Sequence, residues 1–245
     1  MFGIVFMKHV VSVMFRKILP AVALTLVLAG CSTKSDDPLE TYNRGMFKVN
    51  EAVDTVLLRP IAQGYRYITP DPIRSRIGNM SDNLYEPVSM LNAFLQGDFT
   101  GGMNNFWRFI INSTVGLGGM HDVAATAGIR SAREDFGQTL AVWGVGSGPY
   151  VVLPIFGPSN LRDTGGRLVD MLIDPVDYAL EQDPGRDWTR YSLRAGQALV
   201  TRERLLDPID DIYSSSLDPY ESFKSIYEQR RAAEINNLHS DKPKF

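Results

Sequence analysis

One cysteine, three histidines and no long apolar run beyond residue 30 narrow what this 245-residue chain can be. With Cys31 alone, no intrachain disulfide can form and no multi-cysteine metal site exists. Only His121 and His239 follow the apolar leader, and His239 sits in a polar tail. A Ser-His-Asp arrangement or a histidine-bound metal would therefore rest on His121. That residue follows a glycine run and precedes Asp122, where a helix start is the plainer reading. Basic charge is also short: 25 Lys and Arg face 28 Asp and Glu, and the leader itself holds Lys8, Arg16 and Lys17. With no basic stripe and no recognition motif, nucleic acid is not expected as a partner.

Catalytic signatures are missing in the same way. Ser147 lies between glycines but lacks the Gly-x-Ser-x-Gly spacing of a nucleophile elbow. There is no Ser-x-x-Lys and no His-Glu-x-x-His, and the run from Gly116 to Gly119 matches neither a phosphate-binding loop nor a dinucleotide fingerprint. Carboxylates abound, but spacing singles out no hydrolytic pair. The residues predict no catalytic group, no metal and no cofactor, hence no enzyme.

What is present begins at the N-terminus. Arg16-Lys17, an apolar run from Ile18 to Ala29, and Leu28-Ala29-Gly30-Cys31 form a bacterial export signal ending in a lipobox. The run is too short to span a bilayer, which takes roughly 20 residues. Small residues before Cys31 give a peptidase room, and lipidation of Cys31 explains a lone thiol in an exported chain. Met7 or Met14 would start a leader of more ordinary length than Met1. Ser32 rather than Asp after the cysteine favours sorting to the outer membrane. One acyl chain binds a bilayer only marginally, so a multiply acylated terminus is what would hold the protein there. The predicted organisation is a signal over 1–30, a lipidated tether over 31–38, one helical domain over 39–237 and a polar tail over 238–245.

Helical spacing dominates that domain. Tyr42, Met46, Val49, Val53 and Val56 recur at steps of four and three and predict an apolar seam. Pro60 is expected to interrupt it. Pro70-Asp71-Pro72 marks a turn, and a helix is predicted from Ile73 to Leu95, broken near Glu86-Pro87 and closed by Gly97. After a break over 98–102, Met103 to Val115 reads as a strong helix ended by Gly116-Leu117-Gly118-Gly119. Tyr150 to Phe156, between breakers, reads as a hairpin-like loop rather than sheet core. Ser159 is expected to cap a helix from Leu161 to Ile173. Roughly 187–237 is helical with breaks at Asp207-Pro208 and Asp218-Pro219, and Tyr220, Phe223, Tyr227 and Ala233 face the last helix inward. The fold class is mainly α.

The helix from Met103 to Val115 asks for a special explanation. At 100° per residue, Met103, Phe106, Trp107, Phe109, Ile110, Ile111 and Val115 cover more than half its circumference. Asn105, Arg108 and Asn112 form a narrow polar stripe. Surface helices normally show the reverse. Either this is a central helix whose polar groups bond its neighbours, or its apolar arc meets protein and lipid while its stripe faces a wet lumen. An ionised Arg108 needs water or a carboxylate in both cases.

The order of motifs resembles one family over nearly the whole exported chain. After the lipobox come Asp37-Pro38-Leu39-Glu40, Asn43-Arg44, Arg59-Pro60, Asn83-Leu84, Glu86-Pro87 and Leu95-Gln96-Gly97. Arg108-Phe109 with Asn112, Phe136-Gly137-Gln138-Thr139-Leu140, Trp143-Gly144 and Gly148-Pro149-Tyr150 follow, then Leu153-Pro154, Gly157-Pro158-Ser159, Arg162-Asp163, Arg204-Leu205-Leu206-Asp207 and Asp218-Pro219-Tyr220. Each piece is weak and the succession is specific. It is similar to the MlaA (VacJ) family of outer-membrane lipoproteins that maintain lipid asymmetry; Leu217 inserted before Asp218-Pro219 and the short tail are small departures. The resemblance implies a ring-shaped single domain of amphipathic helices with a short hairpin-like loop, lipid-anchored in the inner leaflet on the periplasmic side. It further implies a polar channel that passes mislocalised phospholipid to a soluble periplasmic carrier, MlaC, and association with a trimeric porin. On that basis Asn105, Arg108 and Asn112 are expected to line the channel. Gly144, Gly146, Gly148, Pro149 and Gly157 are expected to belong to a mobile element near its mouth. A membrane-anchored phospholipase and a purely structural envelope lipoprotein are the rival classes.

Overall fold

In a computed structural model, the described residues are 37–181 and 187–236; the leader, Cys31 and the polar tail lie outside them. They build a mainly α domain. The order is α1 (Glu40–Val53), a π-helical turn (Asp54–Leu58), α2 (Arg59–Ile68), α3 (Asp71–Leu95), α4 (Phe99–Thr114), α5 (Val123–Thr126) and α6 (Phe136–Val142). Strands β1 (Tyr150–Leu153) and β2 (Gly157–Asn160) follow, then α7 (Leu161–Ile173), α8 (Pro175–Glu181), α9 (Asp187–Arg204), α10 (Leu206–Ser215) and α11 (Pro219–Asn236). The strands pair antiparallel with Tyr150 opposite Asn160 and Leu153 opposite Gly157.

Packing is inverted relative to an ordinary soluble domain. Among the described residues, buried polar and charged side chains outnumber buried apolar ones. The apolar core is a small cluster of Tyr150, Val152 and Tyr220, flanked by Met46, Phe47 and Tyr227. Aromatic edges close it: Phe47 meets Tyr220 at 5.8 Å and Tyr150 meets Tyr220 at 6.2 Å between ring centres. Outside it, Phe99, Trp107, Trp143, Leu172 and Trp188 are all exposed.

Asparagine amides do much of the joining. Asn43 of α1 donates to the carbonyl of Tyr150 at 3.1 Å and accepts from the amide of Val152 at 2.8 Å. Two turns further along the same face, Asn50 treats Leu153 and Ile155 the same way, at 2.8 Å each. Together they supply β1 with the partners that a missing neighbouring strand would have given. The hairpin is therefore held from both sides. The hairpin expected there is present, but its residues Val151 and Val152 belong to the buried core rather than to a loop outside it.

Several other expectations need correcting. Of the predicted seam, Tyr42, Met46 and Val53 are half-buried, with Met46 against the core, while Val49 and Val56 are exposed; Asn43 is the residue that α1 turns fully inward. Pro60 does not interrupt the helical path; it sits in the first turn of α2, just past the π turn, where its missing N–H costs little. Pro87 lies inside an unbroken α3. One internal hydrogen bond is lost there, and burial of Glu86, Pro87, Val88 and Ser89 in the packing of α3 holds the helix through it. The break expected over 98–102 is the first turn of α4, capped by Asp98, whose carboxylate accepts from the amide of Gly101 at 2.9 Å. The cap of α7 is Asn160, accepting from Asp163 N at 2.8 Å, while Ser159 is buried against Thr164 Oγ1 at 3.0 Å. On α11 the inward residue beyond Tyr227 is Arg231, and Ala233 is exposed.

Candidate functional site

Helix α4 carries the site, and α3 is its main neighbour. The two approach closely because Gly102 has no Cβ to strike the ring of Phe94. Gly97, at φ +81°, makes the turn between them. At the far end Leu117, Gly118 and Gly119 all have positive φ, and a side chain on Gly119 would crowd Asn83.

The polar stripe of α4 faces inward and its apolar arc faces out. Asn105, Arg108 and Asn112 are all buried, whereas Phe99, Met103, Trp107, Ile110 and Val115 are exposed. Arg108 stands between two carboxylates. Its Nε donates to Glu86 Oε1 of α3 at 2.7 Å, its Nη2 to Asp122 Oδ2 at 2.9 Å and its Nη1 to the carbonyl of Ile129 at 2.9 Å. Asn112 donates to Asp122 Oδ1 at 3.0 Å and accepts from the amide of Ala124 at 2.9 Å. Asp122 also caps α5 through the amide of Ala125, so its neighbour His121 stands at a helix start.

Burial and bonding pull the two acids apart. Burial pushes the Glu86 carboxyl above the usual range, and the bonds from Arg108 and Ser131 only partly counter it. For Asp122, burial acts the same way but is outweighed by Arg108, Asn112 and the amide of Ala125, so its carboxyl is held below the ordinary value.

Beside this triad lies a cavity of about 300 Å³. Arg108 and Asn112 line it with Glu86, Asp122, Asn83 and Arg133, among others. Asn105 does not. It is wholly buried and clamps the backbone of Ala132, accepting from its amide at 2.9 Å and donating to its carbonyl at 2.7 Å. The stripe thus has a structural end and a cavity end. The glycine segment is separate from the cavity, since none of the lining residues comes from it. Gly144, Gly146 and Gly148 lie in an exposed stretch before β1, Pro149 is half-buried, and Gly157 opens β2 at φ +74°.

Sequence spacing missed the partners. Glu86 sits before a proline and was expected at a break; Asn83 entered only as part of a family motif with no role attached, and Arg133 carries no local signal. A buried arginine demands an acid, which is the one clue the sequence holds. Among the described residues no group of His, Cys, Asp and Glu is arranged to hold a metal ion. No helix there is long and apolar enough to cross a membrane.

Comparison with known proteins gives a consistent result. The family model described as MlaA lipoprotein matches residues 35–234. The chain is 39% identical over 223 residues to the intermembrane phospholipid transport system lipoprotein MlaA of Shigella flexneri, covering 86% of each chain. It is 38% identical to the protein of that name in Escherichia coli, again with 86% of each covered. An uncharacterized protein of Rickettsia bellii is 38% identical over 212 residues, with 85% of this chain and 81% of that one covered. A solved structure concerned with the maintenance of bacterial outer membrane lipid asymmetry superposes with a TM-score of 0.70 at 40% identity, covering 81% of this chain and 98% of that one.

Proposed function

The chain belongs to the MlaA lipoprotein family, and from that premise we propose that it moves phospholipid out of the outer membrane along the polar face of α4. The observation that carries this reading is the inversion of polarity. Charged and amide groups are inside, and the large apolar residues, including all three tryptophans, are outside. Extensive exposed apolar surface marks a membrane or partner contact, and tryptophan favours the interface between lipid and water.

The energetics of a lipid explain why such a body is useful. Moving an uncompensated headgroup ion through hydrocarbon costs several kcal/mol or more. Pulling tails into water costs about 0.8 kcal/mol per CH₂. A route with hydrogen-bonding groups on one wall and apolar surroundings beyond it lowers both costs at once. No bond is broken, so neither a nucleophile nor a nucleotide is needed. In this reading Arg108 and Asn112 line the route and Asn105 positions their helix, while the glycine segment from Gly144 to Gly157, away from the cavity wall, is a mobile surface element. Cys31 carries the acyl anchor, and residues 39–237 form a ring in the inner leaflet of the outer membrane. The lipid passes to the periplasmic carrier MlaC, beside a trimeric porin.

A blocked route tests the proposal. Asn79 lines the cavity and bonds only the carbonyl of Met120, at 3.2 Å, so Asn79→Trp fills the space without touching the ion pairs. A strain lacking the protein should accumulate phospholipid in the outer leaflet, measured by its accessibility to added phospholipase. The native chain should reverse this, and Asn79→Trp should reach the membrane yet fail to reverse it. Full complementation by the blocked variant sinks the route. Release of fatty acid from vesicles by the purified protein would point to a hydrolase instead.

A further inference from the structure

Nearly every polar atom on the cavity wall is answered from within the chain. Asp82 accepts from both terminal nitrogens of Arg204 at 3.0 Å each, with Arg133 3.6 Å away. Asp122 takes Arg108 and Asn112, and Glu86 Oε1 takes Arg108 and Ser131. All three guanidinium nitrogens of Arg108 are engaged. Among the wall's atoms closed to solvent, two are left over: Glu86 Oε2 and Asn83 Oδ1 have no hydrogen-bond partner. Both residues line the cavity and each is only 4% exposed. The amide of Asn83 is oriented by its own donation to Ser113 Oγ at 2.9 Å, which leaves the oxygen as the free end.

Both leftovers are acceptors, and one is a carboxylate oxygen. A phosphodiester, which offers only acceptors at neutral pH, cannot satisfy them. An ammonium group carries three donors and a compact positive charge. Leaving a buried acceptor unpaired is costly, and a charge-assisted bond to it is among the stronger ones available. Arg133, whose side chain is 61% exposed, offers a cation at the open side of the same wall.

We propose that the cavity is a headgroup seat selective for a primary ammonium, the NH₃⁺ of an aminophospholipid resting between Glu86 Oε2 and Asn83 Oδ1. Its phosphodiester then lies toward Arg133. This assignment rests on the transport reading, since it presumes that lipid reaches the cavity. It gives the conduit a preference: an ethanolamine headgroup satisfies both oxygens, a choline headgroup has no N–H to donate, and a glycerol headgroup has no positive charge.

The test is binding of phosphatidylethanolamine, phosphatidylcholine and phosphatidylglycerol with identical tails to the purified full chain in detergent, followed by native mass spectrometry. The ethanolamine lipid should bind about tenfold more tightly than the choline lipid, the worth of one buried charge-assisted hydrogen bond. Glu86→Gln should bind the two equally. Asn83→Asp, which keeps the shape and adds a charge, should widen the preference, so the result does not hang on one variant's folding. Equal binding by the native chain, or a preference unmoved by both substitutions, overturns the seat and leaves transport standing. Binding of none of the three lipids overturns both. Displacement by ammonium chloride with no dependence on lipid class would assign the site to a small cation and overturn the headgroup reading.

Discussion

Arg231 of α11 and Arg108 of α4 are both buried and held by carboxylates, Arg231 by Asp135, Asp163 and Glu234 and Arg108 by Glu86 and Asp122, yet their surroundings differ. Arg231 donates to both oxygens of Asp135, at 2.7 and 2.6 Å, and its Nε lies 2.8 Å from Asp163 Oδ2. Tyr227 and Asn160 add donors to Asp163. Gly137 and Gly166 press backbone against this knot, leaving no room for a Cβ on either. Arg108 holds Glu86 and Asp122 with similar bonds, but a cavity adjoins it and one carboxylate oxygen stays free. Identical chemistry serves two ends. Where packing closes, the charges fix one arrangement of helices; where packing opens, part of the charge is left for something that arrives.

The largest effect should follow from breaking the closed node. Arg231→Met takes from Asp135 its cation and leaves the buried Asp163 with Arg162 alone, and removal of one partner from a buried pair costs about 3–5 kcal/mol. Denaturant unfolding of the purified protein measures it. A loss below about 1 kcal/mol would mean the knot is not what ties α11 to α6 and α7. Gly166→Ala comes next. Its new Cβ would run into the backbone amide of Gly137, which cannot swing away as a side chain can, so overpacking should cost up to about 3 kcal/mol. The open node should be more forgiving. Arg108→Met strands Glu86 and Asp122, but the adjoining cavity lets water reach both acids, so about 2 kcal/mol is expected. Should Arg108→Met destabilise more than Arg231→Met, the distinction between closed and open nodes fails.

How much of this was legible beforehand depends on sequence separation. Features set within one or two turns could be read: Gly97 closing α3, the glycine run after α4, the α9–α11 boundaries at Asp-Pro pairs, and the inward stripe Asn105, Arg108, Asn112. Features set by distant partners could not. Asp135 meets Arg231 96 positions later, and Asn43 meets Tyr150 107 positions later. The apolar seam of α1 held at Met46 but failed at Val49 and Val56, for a different reason. Periodicity reports which residues share a face, not whether that face meets core or lipid, and here the amide is inside. Glu86-Pro87 failed because proline's cost is local, while the packing that offsets it comes from α4.

The smallest effect is also the one whose sign separates the nodes. Arg231 and its neighbours hold Asp135 and Asp163 below the usual carboxylate range, outweighing the burial that opposes them. A lowered folded value stabilises above the unfolded one, near 4, and that contribution is lost as pH falls through the folded values. Glu86 runs the other way. Burial raises its carboxyl despite Arg108, so its contribution is complete below the unfolded value and lost as pH rises through the folded one. Unfolding measured from pH 3 to 7 should therefore show the closed node gaining stability with pH while the open node gives some back. In Glu86→Gln the decline on the upper side should shrink to what Asp170, also raised by burial, leaves, and the acid-side rise should persist. The reverse pattern, an acid-side rise abolished by Glu86→Gln, would mean that Glu86 is held ionised like Asp163, and that its second oxygen already has a donor.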